Sequence, residues 1–202
     1  MGNLHSVQHA FHRLDRSTCL VRDPKDLNGC EALILPGVGA FDPAMERLHQ
    51  TGLVPDLKAW GRNDQPLLGI CLGLQLLFES SAEGSSSGLG LLKGEVRRLP
   101  EGQGERVPHM GWAPLHSRHH CPLFLHDIHE RWVYFVHSFA AEPSDSDVVS
   151  AVAPFGLSNV TAVVWKSRLG ACQFHPEKSA RAGHQMLLAW LSWLDNGANP
   201  LS

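Results

Sequence analysis

Residues 66–79 read Pro-Leu-Leu-Gly-Ile-Cys-Leu-Gly-Leu-Gln-Leu-Leu-Phe-Glu, an apolar run with a single cysteine. The part before Cys71 predicts a buried strand, and Leu72–Glu79 predicts a helix that leaves it. A Gly-x-Cys-x-Gly turn between strand and helix is typical of a nucleophile elbow, because glycines permit a strained turn that a Cβ would obstruct. The start of a helix also favours thiolate over thiol. Cys71 is therefore a candidate nucleophile, with a buried structural cysteine as the alternative.

Helical and strand-like segments alternate on the N-terminal side of this turn. They are a helical pattern over residues 3–14, a short strand at Thr18–Val21, a buried strand at Ala32–Leu35, a helix capped by Asp42 and opened by Pro43, and a helix at Leu53–Trp60. This alternation predicts an α/β fold with a mostly parallel central sheet flanked by helices. The rest of the chain is strand-rich and ends in an amphipathic helical pattern around Met186–Leu191.

The composition indicates a globular protein that we expect to form one domain over residues 1–202. The chain is 43% hydrophobic and 18% charged, which is sufficient for a well-buried core. A net charge of -3 gives no indication of binding to nucleic acid or to an anionic membrane. No apolar run is long enough to span a bilayer, and the N-terminus lacks the pattern of a signal peptide.

The cysteines and histidines give no metal or disulfide pattern. Five cysteines without a Cys-x-x-Cys pair argue against a disulfide framework or a zinc ribbon and for a reducing, cytoplasmic compartment. Two histidine groups admit a metal-site interpretation: His5, His9 and His12 in one segment, and His116, His119 and His120 beside Cys121 in another. Neither group has a matching carboxylate or ligand motif, so we expect surface histidines and no metal.

A base and a carboxylate follow a second predicted strand. In Gln173-Phe174-His175-Pro176-Glu177, the two titratable residues are two apart, so in an extended chain their side chains project to the same side. Parallel sheets place functional groups at the carboxyl ends of their strands, where Cys71 is also expected. The sequence therefore predicts a Cys71, His175, Glu177 triad, in which the carboxylate orients the imidazole. A polar loop after a strand is the alternative.

Acyl transfer also needs hydrogen-bond donors for the developing oxyanion. The backbone amide of Leu72, next to the nucleophile, is one candidate. The turn at Gly37, Val38 and Gly39 supplies a second, because glycines on both sides of Val38 permit its peptide to flip an N–H inward. Taken by itself, this stretch is better explained as an ordinary tight turn.

Several segments together resemble a known family. They are residues 35–41 (LPGVGAF), 69–80 (GICLGLQLLFES), 109–112 (HMGW), 134–139 (YFVHSF) and 175–179 (HPEKS). The combination resembles the class I (triad) glutamine amidotransferases, and among them the glutaminase subunits of imidazole glycerol phosphate synthases. The match spans nearly the whole chain, and it implies an α/β fold with an additional, smaller antiparallel sheet.

The resemblance implies a role for each matching residue. Cys71 would attack the carboxamide of L-glutamine, His175 would move the proton, and Glu177 would orient His175. The oxyanion hole would be formed by Val38 and Leu72, with Gly37 and Gly39 shaping the turn. Gln75 and the segment His137, Ser138, Phe139 would hold the glutamine. No cofactor is implied.

The resemblance also implies a partner. Ammonia would pass, shielded from bulk water, to a (β/α)8-barrel cyclase subunit in a heterodimer. There it would be used to make imidazole glycerol phosphate and an aminoimidazole carboxamide ribonucleotide. Met110, Trp112 and Lys178 match positions expected near that partner.

Two departures from the family pattern stand out. Members usually begin with an apolar strand ending in Asp-Tyr-Gly before Met-Gly-Asn, whereas this sequence starts at that Met-Gly-Asn, residues 1–3. We therefore expect the first strand to be absent and a neighbouring strand edge to be exposed. Ala113 stands where Asn is common, which affects one expected polar contact of the partner-facing loop. A triad glutaminase serving pyridoxal phosphate or anthranilate synthesis, or a non-catalytic scaffold with this fold, remain alternatives.

Overall fold

The computed structural model of the chain describes residues 2–102, 104–124 and 131–200. Its helices are α1 (Gly2–His12), α2 (Phe41–Gln50), α3 (Val54–Arg62), α4 (Leu72–Leu76) and α5 (Ala180–Asp195). Its strands are β1 (Leu33–Gly37), β2 (Leu67–Cys71), β3 (Ser80–Ser81), β4 (Gly94–Arg98), β5 (His109–Pro114), β6 (His116–Ser117), β7 (Trp132–His137), β8 (Phe139–Pro143), β9 (Val149–Phe155), β10 (Ser158–Lys166) and β11 (Leu169–Cys172). Short 3-10 turns span Pro24–Leu27, Ser146–Val148 and Pro176–Lys178.

The central sheet has six strands in the order β1-β2-β11-β10-β9-β6. Strands β1, β2 and β11 run parallel to one another, and the other three extend the sheet in antiparallel fashion. The sheet is thus mixed, with two parallel and three antiparallel pairings, and the prediction of a mostly parallel sheet was wrong. The parallel part contains the expected catalytic strands. Two smaller sheets, β3-β4-β8 and β5-β7, complete the strand set. The expected α/β architecture is confirmed.

Helices cover both faces of the central sheet. Because side chains alternate along a strand, Leu68 and Ile70 of β2 pack on one face with α1 and α5, while Leu67 packs on the opposite face with α2 and α3. The fully buried side chains include Phe11 and Trp190 on the first face, whose rings meet edge to face at 6.0 Å. This burial on both sides explains why β2 is apolar throughout.

Strand β1 forms one edge of the central sheet and pairs with β2 alone among the described residues. A groove of about 690 Å³ lies beside it, lined by α1, residues 17–21 and β1. Thr18–Val21 was predicted as a strand, and this prediction was wrong: the segment lines the groove without strand structure. A strand needs a hydrogen-bonding neighbour, which local β propensity cannot provide.

The start of α2 also differs from the prediction. The helix begins at Phe41, whose N–H donates to the Glu83 carboxylate at 2.9 Å. Asp42 does not cap the helix, because its carboxylate instead accepts the N–H groups of Ser85 and Ser86, both at 2.9 Å. These two hydrogen bonds lower the pKa of Asp42. The acidic residue thus anchors the serine-rich loop to the start of α2.

Candidate active site

The turn at Cys71 is strained, as a nucleophile elbow requires. Cys71 has φ 57° and ψ −112°, a region that residues with a Cβ rarely adopt. Strand β2 ends at this residue, α4 starts at Leu72, and the Cys71 side chain is buried. Strain that is held in place by well-packed surroundings is common at functional sites, so this backbone geometry supports a chemical role for Cys71.

The two flanking glycines are required by close packing. A Cβ on Gly73 would lie 1.7 Å from the carbonyl oxygen of Leu35 in β1. A Cβ on Gly69 would lie 2.9 Å from the Cβ of Ala171 in β11. Both distances are below van der Waals contact, so glycine at these positions lets β1 and β11 approach the turn.

His175 and Glu177 form a buried pair close to Cys71. His175 Nδ1 and Glu177 Oε1 are 2.8 Å apart, and both side chains are fully buried. Their proximity to Cys71 follows from the topology, because β11 lies next to β2 and Cys172 pairs with Ile70. Cys71 and the His175–Glu177 pair therefore lie beyond the carboxyl ends of two adjacent parallel strands, β2 and β11.

The turn that carries His175 is tied to β7. The His175 N–H donates to Tyr134 O at 3.0 Å, and the Tyr134 N–H donates to Ser179 Oγ at 3.0 Å. The Ser179 hydroxyl in turn donates to His175 O at 2.7 Å. Ser179 is fully buried and fixes the base from behind, a role that its position after the triad motif did not reveal.

The charges around His175 favour its protonated form. Burial is the largest single influence and lowers the pKa of His175, but the hydrogen bonds and charges of Cys71 and Glu177 outweigh it and raise the pKa to about 9. An imidazolium held between a thiolate and a carboxylate can donate a proton to a leaving group, and the neutral imidazole can later accept one from water. This is the chemistry of acyl transfer through a thioester.

This pKa shift predicts a pH-dependent contribution of His175 to stability. Because the pKa of about 9 lies above the ordinary 6.5, the folded state holds the proton more tightly than the unfolded state. The contribution is fully present below about pH 6.5 and is lost as the pH rises through about 9. We expect the difference in free energy of unfolding between the native chain and His175→Gln to shrink by on the order of 3 kcal/mol across this range.

Urea denaturation under reducing conditions, at a series of pH values, measures this difference. His184→Gln, on the exposed face of α5, is the matched control and should show a pH-independent difference from the native chain. A His175→Gln difference that stays constant between about pH 6 and pH 10 would contradict the prediction.

The expected glutamine contacts converge on one carbonyl. Gln75 Nε2 donates to Phe139 O at 2.9 Å, and His137 Nδ1 is 2.8 Å from the same oxygen. Since a carbonyl only accepts, His137 must carry its proton on Nδ1, which leaves Nε2 as the acceptor facing His109 Nδ1 at 3.3 Å. Burial lowers the pKa of His137 to about 3 and thus keeps it neutral. Ser138 lies between these residues in the chain and is half-buried.

The glycine turn after β1 lies beside the nucleophile. Gly37 pairs with Cys71 in the parallel register, so Val38 follows immediately beyond the point where β1 meets the elbow. Val38 is half-exposed, and Gly39 has φ +99°, a conformation that favours glycine. The residues expected to supply oxyanion donors therefore lie close to Cys71 in the backbone: Leu72 follows it in the chain, and Val38 follows Gly37, its partner in β1.

Met110 and Trp112, two of the residues predicted to face a partner, lie on one exposed face of the β5-β7 ribbon. In the antiparallel register, Trp112 pairs with Tyr134 and their rings are 6.0 Å apart. Met110 is 63% exposed and Trp112 is 48% exposed. The ribbon face consists of Met110, Trp112, Pro114, Trp132, Tyr134 and Val136. Trp132, equally exposed at 48%, was missed because an isolated tryptophan in a strand usually packs inward.

Two further positions singled out in the sequence differ in burial. Lys178 is exposed and follows the triad turn, which Ser179 ties to Tyr134 of the ribbon. Ala113 is buried in the core beneath the ribbon, so the residue at this position does not face a partner. Having Ala113 where Asn is common in the family therefore alters a side chain of the core and none on the ribbon face.

The cysteines, the histidine groups and the apolar segments are the features relevant to a disulfide, a metal site and a membrane span. Within residues 2–102, 104–124 and 131–200, no group of three or more His, Cys, Asp or Glu side chains is placed to hold a metal ion. The five cysteines are free thiols. No helix in the same ranges is long and apolar enough to cross a membrane.

Comparison with known proteins identifies clear relatives. The family model "Glutamine amidotransferase class-I" matches residues 2–192. The chain is 65% identical to imidazole glycerol phosphate synthase subunit HisH 2 of Prochlorococcus marinus strain MIT 9313, over all of this chain and 94% of that protein. It is 64% identical to subunit HisH of Synechococcus sp. strain CC9605, over 99% of this chain and 94% of that protein. A crystal structure of a glutamine amidotransferase shares the fold, with a TM-score of 0.75 at 20% identity over 96% of this chain and 95% of that one.

Proposed function

This chain belongs to the class-I glutamine amidotransferase family, and we propose that its Cys71, His175 and Glu177 hydrolyse the carboxamide of glutamine. It is the glutaminase subunit of an imidazole glycerol phosphate synthase and serves histidine biosynthesis. The observation that carries the proposed residue roles is the fully buried His175–Glu177 pair beside a cysteine in a strained elbow. Ammonia release from glutamine by the chain together with its cyclase subunit tests the proposal, and no release at all would refute it.

The first half of the proposed reaction forms a thioester. The Cys71 thiolate attacks the side-chain carbonyl carbon of glutamine, and the oxyanion meets the backbone amides of Leu72 and Val38. When the carbon–nitrogen bond breaks, the His175 imidazolium transfers its proton to the departing nitrogen, which leaves as ammonia. Glu177 keeps the imidazole oriented through the 2.8 Å contact with Nδ1.

The second half regenerates the Cys71 thiolate. The now neutral His175 takes a proton from a water molecule, whose oxygen attacks the thioester carbonyl. The carbon–sulfur bond then breaks, glutamate leaves, and Cys71 returns as a thiolate beside the imidazolium. The raised pKa of His175 suits this cycle, because the resting site already holds the proton that the first step needs.

We propose that the ammonia passes to a cyclase subunit of (β/α)8-barrel fold, which joins the chain in a heterodimer. The relatives are named as subunits of a synthase, which supports the existence of a partner subunit with the complementary activity. The ribbon face supports its location, because exposed Met and Trp side chains are the residue types that enrich interface cores. Lys178 at the edge of this face would supply a polar contact. A cytoplasmic location and a single domain over residues 1–202 belong to the same proposal.

The ribbon face predicts a binding defect for Trp112→Ala. Trp112 is exposed at the centre of the face and packs on Tyr134, as a preformed anchor would. Truncating a central tryptophan of an interface costs about 2 kcal/mol or more, so we expect the Kd for the cyclase subunit to rise about 30-fold. Titration calorimetry of the two purified subunits measures the change.

The matched control is Leu157→Ala in the turn between β9 and β10. Leu157 is 91% exposed and lies outside the ribbon face, so its removal should leave the Kd within about twofold of the native value. Equal affinities for the native chain and Trp112→Ala would place the interface elsewhere on the surface.

A further inference from the structure

Gln173 is a fully buried polar side chain at the active site that has no role in the reaction described above. It follows β11 directly, and its backbone N–H donates to Ala162 O at 2.8 Å. Its side-chain Nε2 lies 3.9 Å from the Cys71 sulfur, and its Oε1 is 3.1 Å from Gln75 Nε2. The Gln173 amide therefore bridges the nucleophile and a residue expected to contact glutamine.

The orientation of this amide follows from its neighbours. Phe139 O can only accept, so the nearest atom of Gln75 must be its donor nitrogen. That nitrogen also faces Gln173, which must therefore present its oxygen to Gln75 and its NH₂ group to the sulfur. A single backbone carbonyl thus sets the direction of two side-chain amides in succession.

We infer that Gln173 acts on the nucleophile, donating a side-chain N–H to the Cys71 sulfur while holding Gln75 in the position that receives glutamine. This inference deepens the proposed function and rests on it for the identity of the substrate. A donor aimed at sulfur favours the thiolate, because the thiolate is the better acceptor. With both Gln75 N–H groups engaged by Phe139 and Gln173, only its Oε1 is left for the substrate, an acceptor suited to the α-ammonium group.

The donor complements the charged groups around the thiol. The titratable side chains that face Cys71 are His175, which interacts with it directly, and the buried thiol of Cys172 on β11. Glu177 lies behind His175, and neutral His137 lies across the site. In this set His175 carries a full positive charge, whereas Gln173 is a neutral donor that remains in place after His175 has given up its proton.

Alkylation of Cys71 tests the inference independently of glutamine turnover. The full-length chain and Gln173→Met, which removes the amide at similar volume, are treated with iodoacetamide over a range of pH. The rate at Cys71 is followed by peptide mass spectrometry. We expect the midpoint of the rate–pH profile to rise by about one unit in Gln173→Met, which is about tenfold slower alkylation at a fixed pH below the midpoint. Exposed Cys19 in the same samples is the internal control and should keep its profile.

A second variant separates the two parts of the role. Gln173→Glu keeps an oxygen for Gln75 but places an acceptor at the sulfur, so we expect the Cys71 midpoint to rise at least as far. In glutamine hydrolysis, KM should stay near the native value for Gln173→Glu and rise several-fold for Gln173→Met, because only the latter releases Gln75. The matched control Gln185→Met, on α5, should alter neither quantity.

The outcomes are decisive even if one variant fails to fold, because either variant alone reports the alkylation midpoint. An unchanged Cys71 midpoint in a folded Gln173 variant, together with lowered stability, would show that Gln173 only fills space, and the inference would be overturned. A shifted midpoint in a chain that hydrolyses no glutamine would instead support the inference while refuting the proposed function.

Discussion

Cys71→Ala leaves a chain that folds and binds its partner but releases ammonia from glutamine at least about 10⁴-fold more slowly than the native chain. The loss is large because no other group in the site can form the thioester: Cys172 is buried in β11 with a pKa raised by burial. The proposed oxyanion donors and glutamine contacts would remain, and by themselves we expect them to provide only a small residual rate.

Two measurements keep this result specific to the nucleophile. Ammonia release is measured with the cyclase subunit and its ligand present, and cyclisation is measured separately with added ammonium salt in place of glutamine. Cys71→Ala should abolish ammonia release from glutamine but retain cyclisation with ammonium salt. Cys19→Ala, at an exposed thiol, should retain both activities. Equal glutamine-dependent ammonia release by the native chain and Cys71→Ala would falsify the assignment of Cys71.

Gly73→Ala should lower the free energy of unfolding by about 3 kcal/mol or more. The added Cβ would lie 1.7 Å from the carbonyl oxygen of Leu35, a backbone atom within the β1-β2 pair. Neither the added Cβ nor the Leu35 carbonyl can rotate out of the way as a flexible side chain could. The backbone of β1 must therefore move away from the Cys71 turn. The same movement would carry Cys71 away from the Gly37–Gly39 turn, and we expect glutamine hydrolysis to fall with stability.

Urea denaturation of the two chains measures the effect, and Gly61→Ala provides the matched control. A Cβ at Gly61, in α3, would meet only the end of the Leu91 side chain, 2.6 Å away, which can rotate. Alanine is also the better helix former, so the control should change stability by no more than about 1 kcal/mol. A Gly73→Ala chain as stable as the control would mean that the elbow tolerates a wider spacing from β1.

Local patterns predicted much of the elbow and the triad turn. The Gly-x-Cys-x-Gly run constrains only residues adjacent in sequence, and the structure forms the turn with Cys71 at positive φ. His175 and Glu177 were predicted to share a side of an extended segment; they do meet at 2.8 Å, but Glu177 lies in the 3-10 turn Pro176–Lys178, so the extended geometry was wrong. Their convergence on Cys71 was predictable as well, since parallel strands bring their carboxyl ends to one edge.

Predictions that depended on a distant partner were less successful. Thr18–Val21 has the residue types of a strand but pairs with no strand among the described residues, and Asp42 stands where a cap is expected but binds Ser85 and Ser86 instead. In the first case a strand-forming preference was not realised because no neighbouring strand in the described part of the chain pairs with the segment. In the second case a capping preference was overridden by hydrogen bonds to a remote loop. Gln173 and Ser179 were missed for a related reason, because their hydrogen-bond partners Gln75 and Tyr134 lie on remote segments.

The residue order thus specified the strand–turn–helix unit, the reactive groups and the family, because these depend on backbone preferences and on chemistry carried within short segments. The tertiary structure decided which groups act together. Phe139 O orients Gln75 and Gln173 from a strand outside the central sheet, and Tyr134 holds the His175 turn from the ribbon. These contacts join segments that lie far apart in the chain, and their hydrogen-bond directions arise only when the folded chain sets each donor against its acceptor.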